Sequence, residues 1–185
     1  MKLVVGLGNW GKEYERTRHN IGFDVLDSLS NNVTWVKSND AHITNIKHNK
    51  EVVLIKPITG MNINGPVVKK TMDMYNIPVE DVIVVYDDMD FAPGQIKIKK
   101  GGGDGKHNGV KSLIQHIGSN FIRVRVGIGK PKNKEDGINF VLEPFTKPER
   151  KLIDKAIEKA YGAINVIINE GVESAMLFFN KKETK

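Results

Sequence analysis

Cysteine is absent from the 185 residues, so neither a disulfide nor a thiolate-held zinc site can brace this chain. Long apolar runs are missing as well. At the N-terminus only Leu3, Val4 and Val5 precede Gly6, whereas a secretory leader needs roughly 7–15 apolar residues and a membrane span roughly 18 or more. The expectation is a cytoplasmic protein with no membrane partner. Repeats, low-complexity segments and linkers are also lacking, which reads as one domain over residues 1–185. Acidic residues are nearly missing from residues 96–134, where ten Lys or Arg stand against Asp104 alone. That stretch carries +9 of a chain whose net charge is +6, so the remainder is net acidic. Concentrated positive charge points to a polyanion such as nucleic acid; a solvated lysine-rich surface is the plainer alternative.

What is present alternates between strand and helix patterns. The opening KLVVGL is a short apolar strand, and Ile21, Val25, Leu26 and Leu29 share one helical face. Residues 41–47 and 51–56 are β-rich runs around a hairpin turn at His48, Asn49 and Lys50. Asn64-Gly65-Pro66 starts a helix that runs to about Asn76. The 81–86 run, DVIVVY, is apolar enough for a buried central strand and ends in Asp87-Asp88-Met89-Asp90. Residues 95–100 alternate as an exposed strand would. Val110, Leu113, Ile114 and Ile117 mark a helix stopped by Gly118. Residues 121–128 alternate again, with Arg123 and Arg125 on one face. Thr146 and Glu149 form a capping box with Pro148 between them. Leu152, Ile153, Ala156, Ile157, Ala160, Ile164, Ile167 and Ile168 make the stripe of the helix that follows, and a last short helix comes after Gly171. The expected fold is α/β: a single domain with a central twisted mixed β-sheet flanked by helices, and helices at the C-terminus.

Two glycine motifs almost match nucleotide sites. Gly6-Leu7-Gly8-Asn9-Trp10-Gly11 follows a strand and spells the dinucleotide fingerprint, but residues 12–18 carry no apolar stripe and no acid ends a second strand at the right distance. Gly101-Gly102-Gly103-Asp104-Gly105-Lys106 departs from a phosphate loop at Lys100 and His107. A nucleotide-dependent enzyme is a further alternative.

Of the five histidines, His42, His48 and His116 read as surface residues. His19 stands where a helix begins, a place that disfavours imidazolium and leaves a ring able to accept a proton. Asp87 is expected just past the end of the buried strand, where open α/β sheets place their sites, and from there it could orient His19. With no cysteine and no serine elbow, water is the expected attacking group. Asp87, Asp88 and Asp90 could instead hold a metal, although metal hydrolases usually supply more clustered ligands. Asn9, Asn62 and Asn108 sit at three loop ends. Each has the donor and acceptor that an amide-bearing substrate needs, and each alone is an ordinary turn or cap residue.

Four segments together resemble the bacterial peptidyl-tRNA hydrolase family: VVGLGNWGKEYERTRHNIGFD, KPITGMNINGP, VYDDMDFAPGQIKIKKGGGDGKHNGVKSLI and RVRVGIGKP. The resemblance implies a hydrolase that cuts the ester between a peptide and the 3′ end of tRNA, without cofactor or metal; with no heptad run to suggest assembly, a monomer without an obligate protein partner is expected. It implies His19 as general base, Asp87 as its orienting partner, and Asn9 as the residue that tells a blocked from a free amino end. It further implies that Tyr14, the Gly60, Met61 and Asn62 segment and Asn108 line the substrate cleft, and that Lys99 and Arg125 meet tRNA phosphates. The chain departs from the family pattern at Trp10 (usually Pro), Gly60 (commonly aromatic), Asn64 (usually Ser) and Lys106 (often small). These departures suggest a cleft bulkier near Trp10 and looser near Gly60. A non-catalytic RNA-binding protein on the same fold is the competing reading.

Overall fold

The computed structural model describes residues 1–31, 33–47 and 49–181. Seven strands form one sheet in the order β2-β3-β4-β1-β5-β7-β6. They are β1 (Lys2–Gly6), β2 (Val36–Lys37), β3 (Ala41–Lys47), β4 (Glu51–Pro57), β5 (Val82–Asp88), β6 (Ile96–Lys100) and β7 (Ile122–Gly127). The four central strands, β4, β1, β5 and β7, run parallel. Antiparallel partners close both sides: β3 and β2 beyond β4, and β6 beyond β7. The apolar runs of β1 and β5 are those of strands covered on both faces.

Among the described residues there are six α-helices: α1 (Ile21–Ser30), α2 (Asn64–Tyr75), α3 (Asn108–Ile117), α4 (Gly137–Leu142), α5 (Lys147–Glu170) and α6 (Val172–Phe179). On one face α1 and α5 pack on Val4, Leu54, Ile83, Val85 and Val124. On the other α2 and α3 pack on Leu3, Val5, Ile55, Val84 and Tyr86. The stripe of α5 is buried from Ile153 to Ile168, and burying each such isoleucine contributes about 1.5–3 kcal/mol. Leu152 lies off that stripe and is 45 % exposed, because it neighbours the turn at Gly94 rather than the sheet. The capping box of α5 is present in both directions. Among the described residues no helix is long and apolar enough to cross a membrane.

The connections place the site. Helix α1 follows β1 on one face, and α2 leaves β4 for the other. A crevice therefore opens at the carboxyl ends of the parallel strands, where the chain changes sides. The N-terminal glycines serve this crossing. A Cβ on Gly6 would lie 2.5 Å from the carbonyl oxygen of Gly22, and one on Gly22 would lie 2.5 Å from backbone atoms of Leu7 and Val85. The fingerprint-like motif thus lets α1 pass directly against the sheet.

Several expectations change. Strand β5 continues through Asp87 and Asp88, which pair in register with Val126 and Gly127 of β7, so Asp87 belongs to the ladder and not to the loop beyond it. Strand β6 has an exposed face but buries Ile96 and Ile98. The amide of Asn180, just past α6, bonds both the N–H and the C=O of Ile98 at 2.8 Å and so occupies its open edge. His42 is buried, not at the surface, its ring 4.3 Å edge-on from Trp10. Burial, followed by Lys37 and Lys56, holds its pKa below the ordinary value. His116 is exposed as expected. The surface expectation for His48 lies outside the described residues, although the flanking strands pair from Ala41 opposite Pro57 to Lys47 opposite Glu51.

Candidate active site

His19 belongs to a short 3-10 turn, Arg18–Asn20, that leads into α1. Its Nδ1 lies 2.9 Å from Oδ1 of Asp87. The Asp87 side chain is almost fully enclosed and that of His19 is 13 % exposed. A second imidazole meets the same carboxylate oxygen: Nε2 of His107 is also 2.9 Å from Asp87 Oδ1. The two rings are 4.9 Å apart between centroids, and Tyr86 packs edge-on against His107 at 5.1 Å.

The tautomers follow from the partners. Nδ1 of His107 caps α3, accepting from the backbone N–H groups of Gly109 at 3.1 Å and Val110 at 3.3 Å. A nitrogen that accepts carries no proton, so the hydrogen of His107 is on Nε2 and is donated to Asp87. His19 likewise donates from Nδ1 and keeps Nε2 for the cleft it lines.

Burial alone would push the Asp87 carboxyl up, but His107 and His19 overcome it and hold the group far below the carboxylate range. For His19, burial lowers the pKa most among the single influences. The charge and hydrogen bond of Asp87 together exceed it, and the net shift is upward. The depression expected from a helix start is therefore reversed, because a carboxylate at hydrogen-bond distance outweighs a partial dipole charge.

The cleft has a volume of about 770 Å³ and a floor of His19, Asp87 and His107. Asn108, Lys99 and Arg125 line it, and Ile138 and Val141 of α4 form one wall. Of the residues expected at the site, Asn9, Tyr14, Gly60, Met61 and Asn62 lie outside this lining. Asn9 is held by Asn20, whose side-chain oxygen accepts from its N–H and whose amide donates to its C=O, both at 2.8 Å. Met61 is buried, its sulfur against Gly109 at the start of α3, whereas Asn62 is exposed. Nothing lies within 4 Å of a Cβ placed on Gly60. Trp10 is half exposed.

The two expected phosphate contacts differ. Lys99 extends from the open face of β6, while Arg125 lies against Asp88, with Nε and Nη2 each 2.7 Å from Oδ2. Arg123 is buried beneath Gly102 and Gly103 and donates to both carbonyls, which ties down the glycine-rich loop.

Neither way of holding a metal suits these groups. Asp88 is engaged by Arg125 and Asp90 by Lys130 at 3.2 Å. His19, Asp87 and His107 are close enough to be a ligand set. However, the cap on α3 keeps a proton on the His107 nitrogen that would have to ligate.

Sequence reasoning gives no role to Arg18, Asn20, His107 or Arg123. His107 carries a legible signal, a histidine immediately before the Asn108-Gly109 helix start. Arg18 carries none, since its partners are more than 120 residues away. Its guanidinium meets Glu149 at 2.9 Å, the carbonyl of Phe140 at 3.2 Å and the Phe140 ring at 4.1 Å.

The structure is an α/β domain with a His–carboxylate–His cluster in the crevice at the carboxyl ends of its parallel strands. The chain matches the peptidyl-tRNA hydrolase family over residues 3–185 and belongs to it. It is 44 % identical to the peptidyl-tRNA hydrolase of Listeria monocytogenes, over 98 % of this chain and 100 % of that protein. It is 43 % identical to that of Geobacillus kaustophilus over the same shares. The crystal structure of peptidyl-tRNA hydrolase from Acinetobacter baumannii superposes with a TM-score of 0.91 at 36 % identity, covering 97 % of this chain and 94 % of that one.

Proposed function

We propose that this protein hydrolyses the ester between a peptide and the 3′-terminal ribose of tRNA, with His19 as general base. The observation that carries the reading is the His19 Nδ1 to Asp87 contact of 2.9 Å, which turns the other ring nitrogen to the cleft. Nε2 takes a proton from water, and the water oxygen attacks the ester carbonyl carbon. The tetrahedral intermediate collapses by breaking the carbon–oxygen bond to ribose. The leaving oxygen receives the proton from His19, so the products are a free peptide acid and tRNA with an intact hydroxyl. Asp87 stabilises the imidazolium between the two transfers. An activated ester asks little more than a base worth roughly 10²–10⁴-fold and good positioning.

In this reading Asn9, fixed by Asn20, meets the blocked amino end of the substrate. Asn62 and Asn108 hold the peptide and the terminal adenosine, with Tyr14, Gly60 and Met61 beside them. Lys99 and Arg125 face phosphates. The protein acts as a cytoplasmic monomer.

The test is release of an N-blocked amino acid from its tRNA in chelating buffer, with unblocked aminoacyl-tRNA as control. Chelator-resistant cleavage of the blocked substrate alone supports the reading, and His19→Ala is expected to remove most turnover while tRNA still binds. If wild type binds tRNA without cleaving either substrate, the non-catalytic alternative takes its place.

A further inference from the structure

We propose that His107 is a positioning residue for His19: locked by the helix it caps, it grips the Asp87 oxygen that His19 uses and so sets both the aim and the working pH range of the base. The inference rests on the His19 reading above and deepens it.

Three observations carry it. The Nε2 of His107 and the Nδ1 of His19 both reach Asp87 Oδ1 at 2.9 Å, so the two imidazoles share one acceptor atom. His107 has no freedom to choose its tautomer, because its Nδ1 is held by Gly109 and Val110 at the start of α3. Its ring is also enclosed, with 8 % of the side chain exposed and Tyr86 at its edge. A donor this fixed holds the carboxylate still, and a carboxylate held still orients the second ring. The helix N-terminus of α3 is thereby coupled, through one ring and one carboxylate, to the helix start that bears His19.

The shared oxygen has an electrostatic consequence. Hydrogen bonding from His107 draws on the same lone-pair density that stabilises imidazolium at His19. Removing that donor leaves the full carboxylate charge to His19 and favours its protonated form. Other charged or titratable groups face the cluster from each side. They are Tyr86 and Asp88 from β5, Asp90 just past it, and Lys99, Arg123 and Arg125 from β6 and β7. Asp104 and Lys106 face it from the glycine-rich loop, and Glu135 from the segment before α4. Asp88 is paired with Arg125, and Arg123 with loop carbonyls. Burial lowers the pKa of His19 and Asp87 outweighs it; burial raises that of Asp87 and the two histidines outweigh it.

The test is the pH dependence of kcat and kcat/KM for cleavage of N-blocked aminoacyl-tRNA by the full chain, in wild type, His107→Asn, His107→Ser, His19→Ala and the double variant His19→Ala/His107→Asn. Asparagine and serine both cap helices but are too short to reach Asp87 as the imidazole does, so they separate the cap from the carboxylate contact. The expected result is a kcat about tenfold lower, an unchanged KM, an acid limb moved to higher pH, and no further loss when His107→Asn is added to His19→Ala. Capping variants that melt like wild type and keep its kcat and pH limb overturn the inference. So does a loss confined to KM or to melting temperature, which would make His107 only a cap. An active His19→Ala would instead overturn the base assignment itself. An inert His19→Ala beside an unaltered His107→Asn would leave that assignment standing and remove this one.

Discussion

One carboxylate, Asp87, lies nearly dry between two imidazoles, and its low pKa and the raised pKa of His19 are two sides of one interaction. Asp87→Asn keeps the shape but presents an amide. If its nitrogen faces His19, the Nδ1 must accept, which leaves a proton on Nε2, where the base needs a lone pair. Turnover is expected to fall about 10²–10⁴-fold, as seen in single-turnover cleavage of blocked aminoacyl-tRNA. Stability should change with pH in a defined direction. The pKa of His19 is higher folded than unfolded, so its contribution is complete below the unfolded value of about 6.5 and is lost as pH rises through the folded value. The folded pKa of Asp87 is depressed, so its contribution is present above the unfolded carboxyl value of about 3.9 and is lost only as pH falls towards the folded one. Urea unfolding of wild type and Asp87→Ala should therefore show a larger stability difference at pH 5.5 than at pH 8.5. An equal difference at both would mean that Asp87 does not hold the imidazolium.

At the scale of elements, single polar side chains fix pieces that hydrophobic patterning leaves loose. Asn20 on Asn9 and Asn180 on Ile98 repeat one device, a primary amide standing in for a neighbouring strand's N–H and C=O. Arg18 does the same work for α4. This six-residue helix buries none of its own residues, and it is held by the guanidinium on the carbonyl and ring of Phe140 and on Glu149. The same Glu149 oxygen closes the capping box on Thr146 at 2.7 Å. Arg18→Ala would remove the buried partner of a pair whose Glu149 is partly exposed, and is expected to cost about 1–3 kcal/mol in chemical unfolding. Because α4 walls the cleft, KM should rise as well. A change under about 1 kcal/mol, the range of exposed pairs, would show that α4 is held otherwise.

That helix also marks where sequence stops being informative. Strands β1 and β5 are legible as continuous apolar runs and helices α1, α3 and α5 by a periodic apolar face, and Thr146 and Glu149 announce the start of α5. Helix α4 has no such face, and its anchor is far away in the chain. Asp87 could be read as a site residue from its place after an apolar run. Its true setting inside β5 depends on pairing with β7, which no local pattern encodes. The link from His107 to Asp87 is likewise a product of topology: β5 and the start of α3 come together only when the sheet forms.

At the scale of the whole molecule, the basic residues of β6 and β7 gather on one face of the sheet. Lys97 and Lys99 of β6 lie opposite Arg125 and Arg123 of β7, and these residues share the side of the sheet that α2 and α3 leave open beside the cleft. Substrate approach should therefore weaken steeply with salt, since each phosphate neutralised releases counterions. Lys99→Ala should raise KM, leave kcat nearly unchanged and reduce the slope of log KM against log salt by about 0.7–0.9, the worth of one contact. Arg125 should respond differently because Asp88 lies against it. Arg125→Ala exposes a carboxylate to the incoming phosphates, so its KM should rise by more than that of Lys99→Ala. Adding Asp88→Asn removes that repulsion and should recover part of the loss. If Asp88→Asn gives no recovery in steady-state KM at low salt, Asp88 does not repel the phosphates and the whole loss is that of the Arg125 contact.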